Sequence, residues 1–355
     1  MMTYRVKGMP WSTGVGTDVK DCTTAREVIE QAGLDWQVKK CDIVAKMPFG
    51  INYNNEINES DGDFSYNGNI YRNCYNAYAT YRTDKNIPLG IVKKKYEVVQ
   101  NMDAFNFFDD AIGYDKAQWE SAGFFGNGQK IFVTAKLPDT IKVNNDPVES
   151  YLIFSNSHDG TSSVSILFAP VRVACTNMLN SAFESANSYI RIRHTQKAKE
   201  RLEQGAEVLR IACEHARRTE DIYNALYAAK LSDEQVMAYI ANLVLTDKER
   251  TELLNYDPKD GYKKLFNRNY ITLETCDIST RKANQLSTMM DYYISGAGQD
   301  AIVGTAWGAY NAITGYYSNV ANLDGEKRMD SLCYGGANRT MQRALVSAAE
   351  LAEVV

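Results

Sequence analysis

The stretch FSNSHDGTSSVSILFAPVRVACTNMLN, residues 154–180, decides the fold class of this chain. Tyr151–Ser155 and Val164–Phe168 are short β-branched and aromatic runs, and Ser157-His158-Asp159-Gly160 between them is turn chemistry, so the segment is predicted to be a hairpin. Pro170 has no N–H to give to a ladder. After it Val171-Arg172-Val173 resumes, and Met178, Leu179, Ala182 and Phe183 then carry helical spacing. Arg172 is therefore expected at a strand-to-helix junction, where polar side chains point into clefts. His158, Asp159, Arg172 and Asn177 are the candidates for a ligand pocket, with Cys175 beside them. The same residues have a structural reading: Asn177 or Thr176 caps the helix, Cys175 packs as a small apolar group, and His158 shapes the turn.

Working towards the N-terminus, Trp119–Phe125 and Gln129–Leu137 form another hairpin around Asn127-Gly128, and Asp103–Ile112 is an amphipathic helix with Phe105, Phe108 and Ile112 inward. Ile70–Arg82 alternates as a strand, with Tyr71, Tyr75, Ala77, Ala79 and Tyr81 on one face and Arg72, Tyr78, Thr80 and Arg82 on the other. It turns back into Leu89–Val99, which carries Lys93-Lys94-Lys95-Tyr96. Thr24-Ala25-Arg26-Glu27 is a capping box opening a helix that stops at Gly33. Pro10-Trp11-Ser12-Thr13-Gly14-Val15-Gly16-Thr17 has two glycines, but no strand before it and no GKS/T ending, so it makes a poor phosphate loop.

Working towards the C-terminus, Ile190 and Ile192 alternate with Arg191 and Arg193, which places both arginines on one face of an extended segment. Ala198, Leu202, Ala206, Leu209, Cys213 and Ala216 then repeat at helical steps. Further helices are predicted over 233–245, 246–255, 279–294, 305–320 and 339–354. The fold class is thus α+β: an antiparallel, hairpin-rich N-terminal half with inserted helices, packed against a mainly helical C-terminal half. A chain of 355 residues exceeds what one core usually supports, so two domains are expected, 1–188 and 189–355, in mutual contact.

Hydrophobic content of 45% and charged content of 23% are those of a globular protein. No apolar run reaches the roughly 20 residues that span a bilayer, and the first residues lack the apolar core of a signal peptide, so the expected location is the cytoplasm. Seven scattered cysteines without CxxC, and three histidines, predict free thiols and no metal centre. The net charge is −5, but residues 189–218 hold eight Lys/Arg against four Asp/Glu. Basic residues interleaved with aromatics suit single-stranded nucleic acid, because cations neutralise phosphates and rings stack on bases. The candidate contacts are Arg72, Arg82, Lys93, Lys95, Tyr96, Arg172, Arg191, Arg193, His194 and Lys197. A lysine-protected edge strand gives the same pattern along Lys93–Lys95.

Several motifs in fixed order carry a family resemblance: PWSTGVGT, AGLDWQV, KKYEVVQNMDAFNFFD, SNSHDGT, PVRVACTNML, IRIRHT, GTAWGAYNAITGYY and YGGANRTMQRAL. Over nearly the whole chain these resemble the phage/plasmid-like domain of unknown function 932. The resemblance implies a home in phages, prophages and conjugative plasmids, in the bacterial cytoplasm or the virion, and implies no established activity. It marks positions such as Trp11, Trp36, His158, Arg172, Arg193 and Trp307 without giving them roles.

Three functions follow from these readings. The leading one is binding of nucleic acid, single-stranded DNA favoured, in replication, recombination or transfer of a mobile element. The second is a structural or interaction protein, an oligomer of this chain or an anti-host-defence factor. The third is an enzyme using His158 and Arg172 on a phosphate ligand. For that reading there is no complete nucleophile–base–acid set and no metal motif, so the sequence calls for no cofactor.

Overall fold

In the computed structural model, the residues described are 6–12, 14–47, 59–112, 117–179, 189–195, 206–256 and 278–353. The protein is α+β, with antiparallel sheets in the N-terminal half and helices in the C-terminal half.

The larger sheet has seven strands: β1 (Thr17–Asp18), β6 (Gln118–Phe125), β7 (Lys130–Val143), β8 (Asp146–Ser157), β9 (Val164–Arg172) and β10 (Asn177–Met178) in that order, with β11 (Tyr189–Ile192) also on β9. β8 and β9 are the predicted central hairpin, with Ser155 opposite Ser165 and Val148 opposite Arg172. β8 is longer than Tyr151–Ser155 because a two-residue turn at Asn144-Asn145 joins it to β7, with Asn144 at φ 54°. Asparagine tolerates that left-handed backbone. Asn177 and Met178 are not helical. They pair with Arg172 and Val171, so the junction after β9 is a tight turn back into the sheet. β11 is likewise a strand of this sheet, which carries residues 189–192 into the hairpin half.

The smaller sheet is built on β4 (Asn69–Arg82), flanked by β2 (Val38–Lys46) on one side and by β3 (Phe64–Tyr66) and β5 (Ile87–Lys93) on the other. The alternation predicted along β4 inverts part-way. Asp42 pairs with Tyr78, but Val44 pairs with Asn73, and Asn76 within the slip has φ 65°. Asp42 and Val44 share a face, so Tyr71 and Asn73 fall on the face of Tyr78, Thr80 and Arg82.

Nine α-helices are found among the described residues: α1 (Ala25–Gln31), α2 (Asn101–Ile112), α3 (Ala206–Ala228), α4 (Asp233–Val244), α5 (Asp247–Tyr256), α6 (Thr280–Ser295), α7 (Ala306–Gly315), α8 (Gly325–Cys333) and α9 (Gly336–Leu351). The capping box at Thr24 and the cap at Ser232 set helix starts as the sequence predicts, and Ser279 caps α6 rather than opening it. All ten residues of α7 are buried, so it is the central rod on which α3, α4, α6 and α9 pack. Helix α8 was not predicted from the sequence.

The larger sheet is covered on both faces. Val148, Leu152 and Phe154 of β8 face a core shared with α1–α4, α6, α7 and α9. Tyr151 and Ile153 face a second core with Trp11, Phe132 and Val171 under Met329 and Leu332 of α8 and Met341 of α9. Arg172 ties sheet to helices from a buried position: its Nε donates to Asp146 Oδ2 at 2.5 Å and a terminal nitrogen donates to Gly298 O at 2.7 Å. Trp307 Nε1 of α7 donates to the same Asp146 oxygen at 3.2 Å.

Candidate functional site

The tip of the β8–β9 hairpin meets β11 and the segment after β5, and each side chain there has a definable task. Asp159 closes the turn. Its Oδ1 accepts from Ser157 Oγ at 2.5 Å and from Thr161 N and Oγ1 at 2.9 and 2.6 Å, while Gly160 takes φ 75°. His158 is fully buried, edge-on to Trp36 at 5.5 Å. Asn101 Nδ2 donates to Leu34 O, so Asn101 Oδ1 is the acceptor 2.8 Å from His158 Nε2, and the imidazole carries its proton there. Burial pushes the His158 pKa down to about 3, so the ring is neutral.

The segment after β5 is stitched to the end of β11. Glu97 N donates to His194 O at 3.1 Å, and His194 Nδ1 lies 3.1 Å from Glu97 O. The Tyr96 ring stacks on His194 at 4.6 Å, and its hydroxyl donates to Ser157 O at 2.6 Å. Burial lowers the His194 pKa and raises that of Tyr96. Two basic segments almost a hundred residues apart in sequence are thereby laid side by side. Lys93, Lys94, Lys95, Arg191 and Arg193 are all exposed along this seam. Lys93, Lys94, Lys95 and Arg193 form no ion pair among the described residues.

Beside Arg191 the sheet opens into a cavity of about 380 Å³. On the face where β8 and β9 carry Tyr151, Ile153, Ala169 and Val171 further along, the side chains change to Ser155 and Ser165, whose hydroxyls lie 2.8 Å apart. Arg191 is opposite Ser165 in the neighbouring strand, and Ser155 is opposite Phe132. Thr161, Ser162 and Ser163 of the hairpin loop add three hydroxyls. Lys130, paired with Asp330 at 3.3 Å, and the rings of Phe125 and Tyr334 complete the wall.

The other predicted contacts lie elsewhere. Arg72 is paired with Asp63 at 3.0 Å near the far end of β4. Arg82 is buried against Trp36, 4.2 Å from its ring, and bonded to Asp84 and to Asn127 O. Lys197 lies outside the described residues. The four-residue pocket is not assembled: Arg172 is opposite Val148, and His158 is ten residues further along β8, roughly 30 Å away. Asn177 is buried between Asn319 Nδ2, which donates to its Oδ1 at 2.8 Å, and Asn311 O. Among the described residues no cluster of three His, Cys, Asp or Glu forms a metal site, and Cys22, Cys41, Cys74, Cys175 and Cys333 are free thiols. No described helix is long and apolar enough to cross a membrane.

Sequence reasoning missed Lys130, Ser155, Ser165, Tyr334 and the loop hydroxyls. A signal was present: serines at 155, 157 and 165 interrupt the apolar ends of two strands, and serines at 162 and 163 lie in the loop between them.

Residues 88–348 match the family described as domain of unknown function (DUF932). The chain belongs to this family. The matched span of this DUF932 protein contains the whole basic seam and cavity, whereas Arg72 and Arg82 fall outside it. No curated protein and no solved structure matches the chain.

Proposed function

We propose that this DUF932 protein binds single-stranded nucleic acid along the seam of Lys93, Lys94, Lys95, Arg191 and Arg193. The observation that carries the reading is the Glu97–His194 pairing, which brings two separate basic segments together with their charged heads in solvent. Most cations elsewhere on the sheets are taken up locally, as Arg72 is by Asp63, Arg82 by Asp84 and Lys136 by Glu149. A row of positive charge where the turn after β5 meets the end of β11 follows one flexible backbone, and flexible single strands bring their bases within reach of nearby rings. In a phage or plasmid, the home that the family resemblance implies, such a surface would serve replication, recombination or transfer.

The test is fluorescence anisotropy of a labelled 20-nucleotide single-stranded DNA at 50 and 200 mM salt. Binding that weakens steeply with salt, and falls at least tenfold in Arg191→Ala/Arg193→Ala with the melting temperature unchanged, is the expected result. Binding absent at low salt, or equal in wild type and double variant, overturns the proposal.

A further inference from the structure

We infer that the cavity beside Arg191 is a nucleotide site, taking a phosphomonoester against the serine hydroxyls and a base against the rings. The inference rests on the single-strand reading only for where the nucleotide comes from, a strand end or free solution. Its basis is the change in polarity of one sheet face. Along β8 and β9 that face is packed beneath α8 and α9 as far as Ile153 and Ala169, and a continuing core would place apolar groups at 155 and 165. Instead, two buried hydroxyls meet there, at the floor of an open cavity of about 380 Å³, within the roughly 300–1,000 Å³ of small-molecule sites.

The lining divides by chemistry. Ser162 and Ser163 bring rotatable O–H donors from the loop, the bonded Ser155–Ser165 pair keeps one O–H to give, and Arg191 brings the fork that matches phosphate oxygens. Lys130 is offset by Asp330 at 3.3 Å, so the lining carries one net positive charge and favours an anionic ligand over a neutral sugar. Across the cavity, Tyr334 at the end of α8 and Phe125 of β6 offer aromatic surface to a base. Asp330 stands one helical turn before Tyr334, placed to accept from ribose hydroxyls while it pairs with Lys130. Hydroxyls and Arg191 on β8, β9, β11 and the loop, with rings and a carboxylate on β6 and α8, are the groups that a nucleoside monophosphate calls for.

Isothermal titration calorimetry of the full chain with adenosine 5′-monophosphate, adenosine and inorganic phosphate tests this, alongside anisotropy with 5′-phosphorylated and 5′-hydroxyl 12-mers. The expected result is that the monophosphate binds at least tenfold more tightly than adenosine or phosphate. Ser163→Trp, which fills the cavity from its loop, and Ser162→Ala/Ser163→Ala should each weaken it at least tenfold with unchanged melting. A 5′-phosphate that tightens the 12-mer identifies a strand end as the source. Monophosphate binding with no such preference identifies free nucleotide, and stands even if neither 12-mer binds. Adenosine or phosphate binding as tightly as the monophosphate, no monophosphate binding, or unchanged binding in Ser163→Trp overturns the inference. If the 12-mers still bind along the seam in those cases, the single-strand reading survives without the cavity.

Discussion

Arg172 shows what a buried charge does for this protein. Its guanidinium is 2% exposed, and three partners hold it: Asp146, Gly298 O and the Cys175 sulfur at 3.7 Å. Asp146 in turn accepts from Trp307 of the central helix, so one carboxylate joins the sheet to the helices. Removing one member strands the other charge in a dry site, which costs about 3–5 kcal/mol. Arg172→Ala is therefore expected to lower the unfolding free energy measured in urea by that amount while leaving oligonucleotide affinity of the folded fraction unchanged. His158 and His194 give a second residue-scale prediction. Burial holds both pKa values below that of a free imidazole, His158 near 3, so the unfolded chain binds more protons than the folded one below about pH 6.5. Their contribution to stability is complete above that pH and is lost as pH falls below it, at up to about 1.4 kcal/mol per pH unit for each ring, and for His158 the loss continues to about pH 3. Unfolding free energies measured between pH 6.5 and 5 should fall along this slope, and His158→Gln should flatten it.

Among the elements, the β8–β9 hairpin tip decides whether the site exists, because its loop rests on β5 and lines the cavity on its other side. The contact is close at Gly90, where a Cβ would stand 2.5 Å from Asp159 Cα and 2.6 Å from Asp159 O. Backbone atoms cannot turn aside as a side chain can, so Gly90→Ala must push the loop off β5. Overpacking of this kind costs about 1–3 kcal/mol. The expected outcome is a matching loss of stability together with weaker adenosine monophosphate binding. Gly336→Ala, where nothing lies within 4 Å, leaves both intact. Helix α7 illustrates the opposite limit, an element that lies wholly inside the core and ties it to the sheet. Its aromatic row Trp307, Tyr310 and Tyr223 of α3 is buried throughout, with centroids 4.6–6.2 Å apart.

At the scale of the whole molecule, a chain of net charge −5 is proposed to bind a polyanion because its positive charge is concentrated rather than abundant. Five cations along one seam predict a log–log salt slope of about −3 to −4 for single-stranded DNA, at about −0.7 per phosphate neutralised. Arg191→Ala/Arg193→Ala should reduce that slope by about 1.4 in the titration proposed above, whereas Arg72→Ala should leave it unchanged. The two cores on opposite faces of the larger sheet keep that sheet rigid, so seam and cavity are presented on a fixed scaffold.

The sequence by itself determined the α+β class, the central hairpin, the capped helices and the family, because each is written in neighbouring residues: alternation, turn dipeptides, caps and motifs in order. It also marked Lys93, Lys95, Tyr96, Arg191, Arg193 and His194, whose alternation and charge are local features. Only the tertiary structure decided which basic residues meet a carboxylate. Arg72, Arg82 and Arg172 have the same chemistry as Arg193, but the carboxylates of Asp63, Asp84 and Asp146 fold against them. The cavity was equally illegible, since Ser155, Ser165, Lys130 and Tyr334 come from three strands and a helix end. Local sequence sets what a residue can offer; long-range packing sets what it meets, and the site exists only where those two agree.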